Sequence, residues 1–395
     1  MSEELKNNED NTPSDGKKKF TKHILLYVVE GIILVAAVTA LVFVVKATRM
    51  QKTNIDASEI KSNNTDDIEL ESTEVTEDTV EEVAEATPTP EPSADKEAAA
   101  AELYEKYDGL FNIAFFGVDS REGELSEGTR SDSIMICSIN MDTHEVRLVS
   151  IFRDTYLNLG NDSYNKCNSA YAYGGPKQAL SMINVNTDLY ITNYVTVGFQ
   201  GLIDAIDALG GVDIEIAENE IEYLNNYALT MAGELDLPYV AVEQAGLQTL
   251  SGLQATAYCR IRYTAGDDFK RAERQRDVLT AMLKKSKEVS FGTLTSAVML
   301  VLPNISTSLS VDDFIDMVSI ASDYEVTVSD GFPFEGMRNG GTIGSKGSCV
   351  VPTDLTRNVR KLHQVLFDDE NYEPSNDVKK YSAIIQADTQ DYLQY

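Results

Sequence analysis

The chain has 395 residues, with 33 lysines and arginines against 64 aspartates and glutamates, three histidines and a formal net charge of -31. A surface of that sign repels a phosphate backbone and argues against direct contact with nucleic acid. Hydrophobic residues make up 43% and aromatic residues 8%, enough for an ordinary folded core, so the acidity does not mark global disorder.

Residues 1–23 are polar and end in Lys17, Lys18, Lys19 and Lys22, which predicts a short cytoplasmic tail. Residues 24–45 are apolar apart from Glu30 and Thr39. At about 1.5 Å per residue they cross a hydrocarbon core of about 30 Å, which predicts one transmembrane helix acting as a signal anchor. Lys46, Arg49 and Lys52 flank its far end, so flanking charge alone does not orient it. Residues 46–102 are rich in Glu, Asp, Thr and Ser, with Pro88, Pro90 and Pro92 near the end, and predict a disordered acidic tether.

A folded domain is predicted over 103–370, followed by a C-terminal tail at 371–395. Residues 111–118 form an apolar run that reads as a buried strand, followed by Asp119 and Arg121. A loop rich in Gly, Glu and Ser leads to Arg130 and Asp132. Residues 133–139 and 145–151 read as a hairpin, with Arg153 just beyond it. The hairpin brings the start of its first strand level with the end of its second, placing Asp132 and Arg153 at one sheet edge. The connection 119–132 has no helical pattern, so the 111–118 strand is predicted to be an antiparallel neighbour that adds Asp119 to that edge.

Next come a helix from about Pro176, a strand at 190–197, a helix at 199–209 stopped by Gly210 and Gly211, and a strand at 212–216. A polar insertion runs to about Gly246, followed by helices at 251–258 and 267–287. The apolar run 291–302 is readable as a core helix or the wall of a lipid groove. Helices at 311–322 and 354–367, with a Gly-rich loop at 331–347 between them, complete the domain. The mixture predicts an α/β fold, a layered α-β-α ectodomain with a mixed central sheet.

Basic residues are scarce, yet six of them crowd into residues 258–276. On a helix over 267–287, Arg271, Arg274 and Gln275 share the inward face with Val278 and Met282. With Arg260 and Arg262 just before them, they read as an enclosed anion site, because guanidinium forks match phosphate oxygens. They read equally as structural salt bridges to Asp267, Asp268 and Glu273, and the stretch alone leaves both readings open.

Other chemistries lack their parts. His144 and His363 are the only histidines beyond the anchor region, in a hairpin turn and a late helix, which supports no Ser-His-Asp or Cys-His nucleophile. Cys137, Cys167, Cys259 and Cys349 form no paired zinc motif, and no Walker-type loop is present. Carboxylates and arginines remain, the equipment of metal-assisted phosphoryl chemistry: aspartate oxygens hold Mg2+, and the metal and arginines neutralise a diphosphate.

The motifs GVDSR, TRSDS, SIFRD, NKCNSAYAYGG, YVTVGFQGLIDAIDALGGVDIEI, YCRIRY and FKRAERQR follow one another over residues 112–276. In this order they closely resemble the LytR-CpsA-Psr family of cell-wall glycopolymer ligases, and the resemblance covers essentially the whole ectodomain. It implies a membrane-anchored phosphotransferase that moves an anionic glycopolymer, of teichoic acid or capsule type, from a polyprenyl-pyrophosphate carrier to a muramic acid hydroxyl of peptidoglycan. It also implies a single-pass protein of the cell membrane, with a cytoplasmic N-terminus and an extracellular catalytic domain. By the same resemblance Asp119 and Asp132 belong to the Mg2+ site, Arg153, Arg260, Arg262 and Arg271 grip the pyrophosphate, and Gln275 lies nearby. Arg121 and Arg130 join that grip or orient the aspartates. Phe152 stands where the family commonly has proline, and Cys259 where it often has valine. A polyprenyl-pyrophosphate hydrolase, using water as acceptor, and a non-catalytic wall-binding or attenuator-type protein are the alternatives.

Overall fold

The computed structural model describes residues 51–52, 55–63, 109–119, 125–262 and 267–392. The predicted cytoplasmic tail and anchor, most of the tether, and Arg121 lie outside the described residues. Among the described residues no helix is long and apolar enough to cross a membrane.

In chain order the elements are β1 (Gln51–Lys52), β2 (Leu110–Val118), β3 (Ser131–Asn140), β4 (Glu145–Ile151), β5 (Tyr156–Asn158), β6 (Tyr164–Lys166), α1 (Ser169–Thr187), β7 (Asn193–Val197) and α2 (Phe199–Ala208). They continue through β8 (Val212–Ile216), α3 (Ile221–Leu235), β9 (Gly246–Leu250), α4 (Gly252–Tyr258), α5 (Asp267–Ser286), α6 (Phe291–Val301) and β10 (Ile305–Thr307). The last are α7 (Val311–Ile320), β11 (Glu325–Phe332), β12 (Arg338–Thr342), β13 (Ser348–Pro352), α8 (Leu355–Phe367) and α9 (Asn376–Thr389).

Seven strands form the central sheet in the order β1-β10-β7-β2-β3-β4-β11. It is mixed: β2 pairs antiparallel with β3 and parallel with β7, and β11 adds parallel to β4. Side chains of β2 alternate between faces, as a two-residue period requires. Ala114, Phe116 and Val118 pack under α1, α8 and α9, while Phe111, Ile113 and Phe115 pack on the opposite side, under α6 and α7. That face is completed by Met135, Cys137 and Leu148 against Leu279 and Leu283 of α5. Beside the sheet a smaller lobe, the β8–β9 hairpin with α2, α3 and α4, has its own apolar core, which Val278 of α5 joins.

Several expectations are corrected. The insertion after β8 holds the fifteen-residue helix α3, which buries Leu224, Ala228, Met231 and Ala232. The Gly-rich stretch 331–347 is partly strand: β12 pairs with β13, and Gly331 lies in β11. The first half of α1 precedes Pro176, with non-helical backbone at Gly174 and Gly175 between the halves. The C-terminal tail contains α9, which buries Val378, Tyr381 and Ile385 on the core.

Residues 55–63, inside the predicted tether, are docked on the domain. Ile60 enters the main core, Ser62 Oγ donates to Leu189 O at 3.2 Å, and Asn63 Nδ2 donates to Asp188 Oδ1 at 2.8 Å. Asp188 is fully buried at the C-terminal cap of α1. Its carboxylate also accepts from Ser375 N at 2.8 Å and Ser375 Oγ at 2.7 Å, at the N-cap of α9. One side chain thus ties both sequence ends of the domain to α1. Asp188→Ala removes the acceptor of a buried Asn63 amide and of the part-buried Ser375 donors, and is expected to cost about 2–3 kcal/mol in a denaturant melt and to expose residues 55–63 to protease. An unchanged melt would show that the two ends are held by their other contacts, without the Asp188 carboxylate.

Candidate active site

The antiparallel pairing of β2 and β3 delivers Asp119 and Asp132 to one sheet edge, as the hairpin argument predicts. The pairing is irregular there: Gly117 faces Ser133 and Val118 faces Ser131, which leaves Asp132 as the extra residue of a bulge. A bulge at a strand end re-aims a side chain that the regular pleat would direct elsewhere. β4 pairs antiparallel with β3, so Arg153, two residues past its end, arrives at the same edge. Arg153 NH1 donates to Asp132 Oδ1 at 2.6 Å.

The basic stretch closes the site from the other side. Arg271 NH2, on the first turns of α5, donates to Asp132 O at 2.9 Å, and Arg262 NH2 stands 3.7 Å from Asp132 Oδ2. Asp268 Oδ1 lies 3.5 Å from Arg153 NH2, 3.8 Å from Arg262 Nε and 3.5 Å from Arg271 NH1. Of the three salt-bridge partners that the sequence offers, Asp268 is the one seen pairing with these arginines, and the paired groups line a cavity. Arg260 is held differently. Its guanidinium carbon lies 4.5 Å from the ring centroid of Phe199 and 5.4 Å from that of Tyr227.

The cavity has a volume of about 320 Å³, and Asp119, Asp132, Arg260, Arg262, Arg271 and Gln275 all contribute to its wall. Arg153 lines a small adjoining recess together with Asp132, Asp268, Arg271 and Gln275. Arg130 is exposed and not part of the wall. Four guanidiniums against three carboxylates leave this enclosure positive in a chain of formal charge -31, which suits an anion. Burial raises the Asp132 pKa, but Arg153, Arg271 and Arg262 outweigh it and hold the carboxyl below the usual carboxylate range. Burial, with repulsion from Arg153 and Arg262, lowers Arg271 to about 10, so it is still a cation at neutral pH.

Arg274, three residues from Arg271 on the inward face, goes elsewhere: its Nε donates to Glu220 Oε1 at 2.8 Å and its NH1 to Ile261 O at 3.1 Å. Arg276 is also buried, donating to Ser329 Oγ and Ser150 Oγ. Phe152 packs edge-on against Phe269, with ring centroids 4.6 Å apart, and a Cβ at Gly331 would collide with its ring. The central place of Asp268 was visible in the sequence only as one of three candidate salt-bridge partners.

A second cavity of about 550 Å³ lies along the same face of the sheet. Phe115 lines the first cavity and Phe111 the second, four residues apart on one side of β2, or about 13 Å. Val278 and Leu279 line the first, and Met282 and Leu283, one helical turn later, the second. The walls of the second are almost wholly apolar, drawn largely from α6 and α7. The apolar run 291–302 is thus both a core helix and a groove wall.

Among the described residues no group of three or more His, Cys, Asp or Glu side chains is placed to hold a metal by protein ligands alone. Asp119 and Asp132 on one wall fit the sparser donor set of Mg2+, which keeps several waters and takes one or two carboxylates together with substrate phosphates.

The model of the LytR_cpsA_psr family matches residues 67–341. The chain is 31% identical over 217 residues to a polyisoprenyl-teichoic acid–peptidoglycan teichoic acid transferase, TagU, of Enterococcus faecalis, covering 54% of this chain and 65% of that protein. It thus spans slightly less than two thirds of that relative's length. The fold matches TagT bound to LI-WTA with a TM-score of 0.54 at 23% identity, covering 67% of this chain and 92% of that one. It matches TagT with bound octaprenyl pyrophosphate lipid with a TM-score of 0.50 at 22% identity, covering 66% and 91%. At these identities the structural likeness concerns the fold, an α/β architecture with a mixed central sheet.

Proposed function

This chain belongs to the LytR-CpsA-Psr family, and on that premise we propose that it is a transferase acting on polyprenyl-pyrophosphate-linked glycopolymer. The observation that carries the proposal is the placement of the two cavities on one face of the sheet: an arginine-lined chamber sized for a diphosphate lies beside an apolar one suited to a prenyl chain, with neighbouring turns of α5 lining each. TagT, a protein of the same fold, has been solved with octaprenyl pyrophosphate lipid bound. The donor is a teichoic acid or capsule-type polymer and the acceptor a muramic acid hydroxyl of peptidoglycan, in keeping with the name of the E. faecalis relative. The membrane-anchored, extracellular placement follows from residues 24–45 and from where these substrates are found.

In the reaction the acceptor oxygen forms a new bond to the polymer-side phosphorus. The P–O bond to the bridging oxygen breaks, polyprenyl phosphate departs with that oxygen, and the hydroxyl proton passes to solvent. Arg260, Arg262 and Arg271 face the diphosphate, and Arg153 reaches it from the adjoining recess. Asp132, kept ionised by the arginines, and Asp119 would hold Mg2+, which when bound neutralises charge on the phosphates.

Incubating the protein with defined lipid-linked polymers and peptidoglycan tests the proposal. Polymer covalently joined to peptidoglycan, with release of polyprenyl phosphate, is expected. Release of the same phosphate without any joined polymer would identify a hydrolase. Chelation by EDTA is expected to slow transfer, with recovery on adding excess Mg2+. An unchanged rate in EDTA would remove the metal from the mechanism.

A further inference from the structure

Arg153, Arg262 and Arg271 each stand within 4.0 Å of a carboxylate of Asp132 or Asp268. Arg260 differs from all three. Among the described residues no carboxylate lies within ion-pair reach of it, and its NH1 is buried without a hydrogen-bond partner. What holds it is aromatic: Phe199, the first residue of α2, at 4.5 Å, and Tyr227, in the middle of α3, at 5.4 Å, both on the cavity wall. A ring face attracts a guanidinium without consuming its N–H donors or cancelling its charge. A carboxylate does both.

We propose that Phe199 and Tyr227 are positioning residues, an aromatic clamp that keeps Arg260 oriented and uncommitted so that it serves as the cavity's resident receptor for the diphosphate. This deepens the transferase reading and rests on it. Arginines already paired with Asp132 and Asp268 must share or exchange partners when an anion arrives, whereas Arg260 engages it at no such cost. The clamp also gives the small lobe a task, because Tyr227 comes from α3 and Arg260 follows α4, both packed in that lobe's core. The lobe thereby presents the unpaired cation to a site whose carboxylates come from the central sheet and α5.

The test is binding of farnesyl pyrophosphate, by calorimetry, to the full chain in detergent. Loss of one desolvated cation–π contact corresponds to roughly 2- to 30-fold weaker binding, so Tyr227→Leu is expected to weaken the complex within that range. Tyr227→Phe keeps the ring and is expected to retain wild-type affinity. Phe199→Leu supplies the same reading from the other side of the clamp should Tyr227→Leu not fold. The decisive comparison is made in an Arg260→Ala background, where Tyr227→Leu is expected to have no further effect because the ring acts through that guanidinium. An equal loss with and without Arg260 would place the ring directly on the ligand and overturn the clamp. So would wild-type affinity in both leucine variants. Failure of the unaltered chain to bind farnesyl pyrophosphate would instead overturn the diphosphate reading itself.

Discussion

Arg153→Ala is expected to transfer polymer about 10²- to 10³-fold more slowly than the unaltered chain while melting close to it. Removing one preorganised donor from a site where charge builds up costs a rate factor of about that size. The structural cost is smaller, because Asp132 keeps Arg262 and the backbone contact from Arg271 when Arg153 is gone. With the Asp132 side chain 37% exposed and still facing those groups, the pair contributes about 1 kcal/mol or less to stability. Arg153→Lys is expected to rescue poorly: Arg153 spans Asp132 with NH1 and Asp268 with NH2, a two-pronged reach that an ammonium cannot make. Paired rate and melting measurements decide the matter. If the alanine variant unfolds at the temperature where its activity vanishes, or lysine restores the full rate, Arg153 is scaffolding and the diphosphate is gripped elsewhere.

The convergence of Asp119, Asp132 and Arg153 was legible in the sequence because hairpin geometry is local: short connections fix which strand ends meet. The bulge that frees Asp132 from the regular pleat was not legible, since it depends on how Gly117 and Ser133 register across the sheet. Helix α3 left a visible trace, Leu224, Ala228, Met231 and Ala232 at helical spacing, but its polar surroundings masked it. Strand β12 left none, because Arg-Asn-Gly-Gly-Thr has no apolar alternation and is strand only through its pairing with β13. The docking of residues 55–63 depends on Asp188, more than 120 residues away, and no local pattern announces a contact of that range. For the basic stretch, helical spacing correctly placed Arg271 and Arg274 on the inward face. It could not say that α5 faces two different partners along its length, the sheet edge at Arg271 and the small lobe at Arg274.

That division gives two arginines one turn apart opposite expected phenotypes, and Glu220→Ala isolates the structural one. Arg274 is 1% exposed, and Glu220, its ion-pair partner, is 5% exposed. The Glu220 carboxylate also accepts from Ala217 N at 2.9 Å, fastening the turn that leads into α3. Glu220→Ala therefore takes the Glu220 carboxylate from a buried guanidinium and removes a cap from the small lobe, an expected loss of about 3–5 kcal/mol. The denaturant midpoint should fall with an unchanged slope if the domain still unfolds in one step. Transfer per folded molecule is expected to stay within about twofold of the unaltered chain, since neither residue lines the cavity. Replacing the pair together, Glu220→Leu with Arg274→Met, is expected to recover most of the lost stability, because exchanging a buried ion pair for apolar side chains of similar volume is often close to neutral. A melt that does not move on Glu220→Ala would mean that Arg274 finds other compensation. A hundredfold loss of rate in folded protein would instead place Arg274 in the diphosphate grip, and the inward face of α5 would be a single functional surface from Arg271 onward.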